Sequence, residues 1–363
     1  MLGLGLGNFG ALSEFREEDT VWLQYKTVGG DEFRTSNQKN FRVGEYVPPP
    51  TYSFGDHEVD QTIDGTFSID STGQSTESQE VDAMGYRTWY NRNPGFLWSG
   101  DGKHLYTPVV HDTNSDWAIV DWEYATPWDL TSVRQAGTIE MIIEETCLSQ
   151  YPPTGIMYGL KWDKNGNLVC LMVNINNTDY EYEGFDMNTP YQIQGEGTFA
   201  AADRTAVAWG YNNEGRSLYV DDTAFLLVKY DTEKIMKWGV LANGMPDFGG
   251  GLQQEVNFPD RPVGMGLTCG YAHFYDSGNK LICGAGSGGG GVWYGLKRYE
   301  LSTPYDLTTI GSLIEDIPFD AATTNYRGTY GSPMDFQWSG DGTKYYWGGN
   351  SGGWGKVSQV TVI

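Results

Sequence analysis

The chain has 363 residues, of which 47 are acidic and 23 basic, giving a formal net charge of −24. That balance, with no Lys/Arg cluster, opposes approach to phosphate backbones and excludes nucleic acid as an expected partner. With 49 Gly and 14% aromatic residues, the composition suits many short strands and frequent turns rather than long helices.

The first 50 residues alternate Gly and Leu up to Gly7, turn polar, and end at Pro48-Pro49-Pro50. Too short for a core of its own, this stretch reads as an extended N-terminal assembly arm. It has no basic n-region and no continuous apolar h-region, and no apolar run reaches 18 residues. Neither an export signal nor a membrane span is therefore expected, and synthesis in the cytoplasm is. Within the arm, Val21 to Tyr25 and Asp31 to Thr35 flank Gly29-Gly30 as a hairpin would.

Residues 51–95 read as a hairpin and linker region. Val59 to Ile63 and Thr66 to Ile69 flank Asp64-Gly65, a hairpin signal, and Ser71 to Glu80 is a polar loop of low complexity.

From Phe96 onward a repeat dominates. Apolar stretches flank turns at Asp101-Gly102, Asn165-Gly166, Glu214-Gly215, Ser277-Gly278 and Asp341-Gly342. Phe96-Leu97-Trp98-Ser99-Gly100-Asp101-Gly102 returns as Phe336-Gln337-Trp338-Ser339-Gly340-Asp341-Gly342. Each turn predicts two antiparallel strands, because Gly accepts the positive φ of a tight hairpin. A second element follows: Thr126-Pro127-Trp128-Asp129-Leu130, Thr189-Pro190-Tyr191-Gln192-Ile193 and Thr303-Pro304-Tyr305-Asp306-Leu307, with a worn copy at Tyr230-Asp231-Thr232. Because Pro cannot donate to a ladder, this step predicts the end of a third strand and a turn toward a fourth; Thr138 to Glu145 reads as a strand.

Four strands per unit predict an all-β fold, a β-propeller of five four-stranded blades over residues 96–363. The arm hairpin keeps a sixth blade open. The last unit holds only three strands before Ile363, so an N-terminal segment is expected to supply the fourth, with Val81 to Tyr90 as the expected donor.

Motifs with chemical promise fail on context. Gly284-Ala285-Gly286-Ser287-Gly288-Gly289 and Gly5-Leu6-Gly7-Asn8-Phe9-Gly10 match G-x-G-x-x-G without a strand before and a helix after. Asp163-Lys164-Asn165-Gly166-Asn167 lacks the Gly position and closing Glu of a calcium loop. Cys147, Cys170, Cys269 and Cys283 show no CxxC spacing, and His57, His104, His111 and His273 are scattered, so no metal and no cofactor is expected and the thiols read as free. Acidic residues are plentiful enough for the carboxylate pair of a glycosidase, but their spacing singles out none. The acidic residues at the turns read as satisfying local backbone N–H groups. Among the tryptophans, Trp354 in Gly348 to Trp354 is the candidate for stacking on a sugar ring; the others read as packing between sheets.

The turn of Trp98-Ser99-Gly100-Asp101-Gly102-Lys103 with Tyr299-Glu300-Leu301-Ser302-Thr303-Pro304-Tyr305-Asp306-Leu307-Thr308-Thr309, echoed by Tyr124 to Thr131, resembles the propeller-like repeat of structural proteins of tailed bacteriophages, particularly marine ones. It covers residues 96–363 and is clearest in the first, fourth and fifth units. The resemblance implies a non-enzymatic virion component, a tail or external appendage protein that docks on other virion proteins in several copies. A receptor- or glycan-binding module for the host surface, or a polysaccharide hydrolase or lyase, are the alternative readings.

Overall fold

The computed structural model describes residues 25–26, 33–34, 57–58, 67–69, 80, 83–87, 95–111, 116–143, 156–163, 165–173, 180–199, 204–209, 215–221, 223–229, 234–257, 259, 267–287, 293–317, 332–339, 344–351 and 354–362. The chain divides into two compact units, Met1–Thr51 and Tyr52–Ile363. In the first, Tyr25–Lys26 and Phe33–Arg34 pair antiparallel, Tyr25 opposite Arg34, as a two-stranded sheet.

The second unit is all-β. Among the described residues it forms five sheets in chain order, each built around an antiparallel meander. The first carries His104–His111, Trp117–Glu123 and Thr138–Ile143, with Tyr86–Arg87 and Leu97–Trp98 end to end along the edge of His104–His111. The second is Ile156–Trp162, Leu168–Val173, Tyr180–Phe185 and Arg204–Trp209; the third is Gly215–Val220, Phe225–Lys229, Lys234–Trp238 and Gln254–Asn257. Leu267–Tyr275, Lys280–Ser287, Trp293–Leu301 and Ile310–Ile317 make the fourth, and Ser332–Trp338, Lys344–Ser351 and Trp354–Val362 begin the fifth. The first strands of the second to fifth sheets lie against one another, which is the arrangement of a β-propeller.

Each sheet buries both faces, so its strands are not simply apolar on one side and polar on the other. In the first sheet Tyr106, Val110, Trp117 and Ile119 pack with Leu160, Leu168 and Cys170 of the second, whereas Leu105, Val109, Val120 and Trp122 pack with Tyr346 and Val357 of the fifth. Further clusters join the second sheet to the third and the third to the fourth.

The Thr-Pro-aromatic step is a clamp on the turn of its own sheet. Trp128, Tyr191 and Tyr305 take φ of 61°, 63° and 60°, and Gly102, Gly166 and Gly278 take φ of 72°, 79° and 79°. The backbone N–H of each aromatic residue donates to the carbonyl of its glycine: Trp128 to Gly102 at 2.7 Å, Tyr191 to Gly166 and Tyr305 to Gly278 at 2.9 Å. A Cβ on Gly102 would stand 2.2 Å from the Trp128 ring, and one on Gly278 2.4 Å from the Tyr305 ring.

The preceding sheet then completes the clamp. The carbonyl of Trp128 accepts from the Tyr346 hydroxyl and the N–H of Leu130 donates to Gln359 Oε1 at 2.7 Å. In the fourth sheet, the Tyr305 carbonyl accepts from Lys237 Nζ and Leu307 N–H donates to Gln254 Oε1 at 2.8 Å. In the second, the Tyr191 carbonyl accepts from Gly100 N–H at 3.1 Å and Ile193 N–H donates to the Tyr106 hydroxyl at 3.3 Å. These backbone groups have no ladder partner, so side chains of the neighbouring sheet, and in one case its Gly100 N–H, satisfy them.

Several expectations need correction. Glu214-Gly215 is not a hairpin turn: Gly215 opens a strand, and the third sheet turns at Asp221 to Ala224, where the Asp221 carboxylate accepts from Thr223 and Ala224 N–H at 2.7 Å. A side-chain oxygen does there what a positive-φ glycine does elsewhere. Tyr230-Asp231-Thr232 falls between the second and third strands of its sheet, not after the third. Of the hairpin expected from Val59 to Ile63 and Thr66 to Ile69, Val59 to Thr66 lies outside the described residues; the flanking His57–Glu58 and Phe67–Ile69 both pair with Trp354–Val362. The strand added to the fifth sheet therefore comes from these two pieces, whereas Tyr86–Arg87, inside the expected donor, pairs with His104–His111. Cys170 and Cys283 are buried and form no disulfide; Cys269 lies opposite Gly286 and Cys283 opposite Ala272, three positions out of register.

Glu80 anchors the start of the first sheet. Its carboxylate accepts from both terminal nitrogens of Arg134, at 3.0 and 3.2 Å, and from Gly137 N–H at 3.0 Å, while the guanidinium lies 4.8 Å from the centre of the Trp122 ring. Burial pushes this carboxyl up, but the Arg134 and Gly137 hydrogen bonds and the guanidinium charge outweigh it and hold it below its ordinary value.

Two outcomes follow from this architecture. Gly102→Ala forces a Cβ into a left-handed turn and into the Trp128 ring, so a loss of about 2 kcal/mol or more is expected in urea unfolding; a change within about 0.5 kcal/mol would rule the clamp out as a stabilising element. Starting the chain at Thr76 rather than Tyr52 bares the edge of Trp354–Val362, which should lower the thermal midpoint and raise light scattering. Identical midpoints and scattering would mean that this edge needs no cover.

Candidate active site

The seam between the first and second sheets departs from the pattern of the other two. Where Tyr346 with Gln359, and Lys237 with Gln254, satisfy the next sheet, the first sheet presents His104, Tyr106, Asp121 and Glu123. The register pairs His104 with Glu123 and Tyr106 with Asp121, so all four share one face and His104 sits diagonal to Asp121. The site lies where the Asp101-Gly102 turn delivers the chain into His104–His111.

His104 Nδ1 lies 3.0 and 2.9 Å from the two Asp121 carboxylate oxygens. An ionised carboxylate only accepts, so Nδ1 carries the proton in the neutral ring and Nε2 is left as an acceptor. The Asp121 side chain is 6% exposed and that of His104 17%, so the carboxylate is the more deeply buried of the two. Burial pulls the His104 pKa down, but the Asp121 hydrogen bond and charge, with Asp101 and Glu123, outweigh it and raise it above the ordinary value.

Asp121 is in turn held from the second sheet. Gln194 Nε2 donates to Asp121 Oδ2 at 3.1 Å, and the Tyr106 hydroxyl donates to Gln194 Oε1 at 2.9 Å. Burial pushes Tyr106 far above the ordinary phenol range, so it stays a neutral donor. Trp162, edge-on to Tyr106 and Tyr191 at 6.0 Å, lies alongside and donates Nε1–H to the Trp98 carbonyl at 2.8 Å. Asp101 is committed to its turn, accepting from Ser99 Oγ at 2.6 Å and Lys103 N–H at 3.0 Å.

Elsewhere, His273 is buried beside Tyr219, 5.2 Å between ring centres; burial, then the charge of Lys161, pulls its pKa well down. Among the described residues no group of three or more His, Cys, Asp or Glu is arranged to hold a metal ion. Asp163, of the calcium-like pentapeptide, accepts from Asn165 and Asn167 N–H at 2.7 and 2.8 Å, closing its own turn.

The sequence candidate, Trp354, opens a strand and pairs with Ser351; its side chain lies outside the described residues. Gly348 to Ser351 is strand rather than exposed loop, and so is Gly284 to Ser287. Sequence reasoning treated His104 as one of four scattered histidines. The available signal was its phase: two residues past the turn glycine it occupies the position held by Leu168, Lys280 and Lys344 in other repeats.

No protein-family model matches the chain, and the search of curated proteins gives no match. Solved structures similar to it include a GH43 β-1,3-galactosidase (10% identity, 74% of this chain and 56% of that chain, TM-score 0.46). Others are the catalytic domain of a Coprinopsis cinerea GH62 α-L-arabinofuranosidase (12%, 79% and 94%, 0.39) and a periplasmic gluconolactonase of Pseudomonas aeruginosa (12%, 76% and 72%, 0.38). These neighbours are enzymes. That finding overturns the expectation of a non-enzymatic structural virion protein, which is withdrawn; the likeness itself assigns this chain neither a family nor an activity.

The raised His104 pKa has a defined consequence. The protonated pair contributes stability that is complete below the unfolded imidazole pKa, about 6.5, and is lost as pH rises through the higher folded value. In histidine-selective NMR, His104 is expected to titrate above the ordinary value and to move down in Asp121→Asn. Titration at or below the ordinary value in the native chain would contradict this geometry.

Proposed function

We propose that the unit Tyr52–Ile363 is a five-bladed propeller hydrolase in which the His104–Asp121 pair activates water for attack on an ester or lactone carbonyl. The five-blade reading is supported by the seam between the fifth and first sheets, where Tyr346 donates and Gln359 accepts at the same two backbone groups that Lys237 and Gln254 satisfy between the third and fourth. A ring closed this way leaves the Tyr25–Lys26 hairpin, in the other unit, outside the count.

One observation carries the chemistry: an imidazole held at Nδ1 by a buried carboxylate, with Nε2 unengaged among the described residues and the ring itself partly exposed. Such a ring is an oriented general base. Nε2 removes a proton from water as the new C–O bond forms; the resulting imidazolium, stabilised by Asp121, returns the proton to the alkoxide that leaves as the acyl C–O bond breaks. Asp121 serves by fixing the tautomer and stabilising the cation. A carbonyl substrate suits this pair better than a glycoside, whose cleavage calls for a protonated carboxyl facing a second carboxylate across the sugar.

The test is hydrolysis of a panel of aryl esters and lactones by the full chain. The expected result is turnover that rises with pH through a value above the ordinary imidazole pKa, with His104→Ala lowering kcat/KM by about 10² to 10⁴-fold. In Asp121→Asn the inflection should fall. Absence of turnover across the panel, or an undiminished rate in His104→Ala, would end this reading.

A further inference from the structure

Between the third and fourth strands of the second sheet the chain makes a detour. After Tyr180–Phe185 it crosses to the first sheet, where Gly197–Phe199 adds parallel to Met141–Ile143, and only then returns as Arg204–Trp209 to complete its own sheet. It is the one parallel pairing among the described strands, and the second sheet does not need it to reach four strands. The segment is fastened on its way: Gly195 N–H donates to Glu140 Oε2 at 2.8 Å, and Asn188 donates to both Glu196 carboxylate oxygens, by N–H at 2.7 Å and by Nδ2 at 2.8 Å.

Gln194 lies between these fastenings. The directions of its hydrogen bonds are settled by the partners: Asp121 only accepts, so the amide NH₂ faces it, and Oε1 is left to take the Tyr106 proton. The phenol oxygen in turn accepts from Ile193 N–H. The result is a one-way relay, Ile193 N–H to Tyr106, Tyr106 to Gln194, Gln194 to Asp121, with His104 Nδ1–H meeting the same carboxylate from the other side.

We infer that Gln194 is a positioning residue for the water-activating pair, and that the parallel crossover exists to hold it: with the Gln194 amide in place, Asp121 faces His104 in a single orientation and Nε2 stays unprotonated. This rests on the reading of His104 as the reacting base, but it is read out separately. Without the amide, Asp121 turns more freely, and His104 gains access to the Nε2–H form that an unconstrained imidazole prefers.

The experiment pairs ¹⁵N NMR of histidine-labelled full-length protein with kinetics. The His104 signals are assigned by their loss in His104→Gln. In the native chain, above its pKa, His104 should be wholly in the Nδ1–H form. In Gln194→Met, which keeps the volume and loses both hydrogen bonds, a mixture of tautomers is expected, with kcat lowered about tenfold or more and KM little changed. Gln194→Glu, which keeps an acceptor for Tyr106 but as a carboxylate offers Asp121 no donor, should show the same mixture of tautomers above the His104 pKa. Glu140→Ala loosens the crossover without touching the pair, and is expected to shift the tautomers in the same direction by a smaller amount; it also stands in should Gln194→Met fail to fold. An unchanged Nδ1–H population in both Gln194→Met and Glu140→Ala would overturn the inference, whatever the rates. A tautomer shift in a chain with no esterase or lactonase activity would uphold the positioning role and remove the hydrolase reading.

Discussion

The structure depends on how the third-to-fourth connection is satisfied in the first, second and fourth sheets. That connection leaves a carbonyl and, two residues later, an N–H with no strand to pair with, and both lie against the neighbouring sheet. Burying them unpaired costs about 1 to 3 kcal/mol each, so the preceding sheet must offer a donor and an acceptor at fixed places. Tyr346 with Gln359, Gly100 N–H with Tyr106, and Lys237 with Gln254 are three solutions to the same requirement. The aromatic residue that begins the connection accepts a left-handed backbone because its ring covers a glycine turn where any side chain would collide. Local strain, turn geometry and the registration of one sheet on the next are thus parts of one device.

Against that repeated device, the seam between the first and second sheets carries a surplus. Its structural need is met by Gly100 and Tyr106, yet His104, Asp121 and Gln194 are added there at a cost in desolvation. A buried carboxylate is tolerated when it is hydrogen-bonded and charge-paired, and Asp121 has both, from Gln194 and from His104. A departure from local regularity with no structural task of its own is where chemistry is to be sought. Trp98, Trp117, Trp122 and Trp238, by contrast, are buried and do the packing that flat side chains do between twisted sheets.

Much of this was legible in the chain. Hairpins at Asp101-Gly102, Asn165-Gly166 and Ser277-Gly278 follow from glycine's access to positive φ, a preference carried by the residue itself. The Thr-Pro-aromatic step marked the end of a third strand for a similar reason, since Pro cannot continue a ladder. The third sheet was misread because its turn is made by Asp221 rather than by Gly, and Glu214-Gly215 imitated the missing signal. The donor of the last sheet's outer strand was misplaced because short segments such as His57–Glu58 and Phe67–Ile69 carry no mark of which distant edge they cover.

The sequence by itself determined what each residue imposes on its neighbours along the chain: the all-β class, the repeat, the turns and the acidic surface. Only the tertiary structure decided which residues meet across it. His104 and Asp121 are 17 positions apart and Asp121 and Gln194 are 73 apart. Their pairing depends on strand register and on a crossover between sheets, and both are set by burial over the whole molecule rather than by any local preference of these residues.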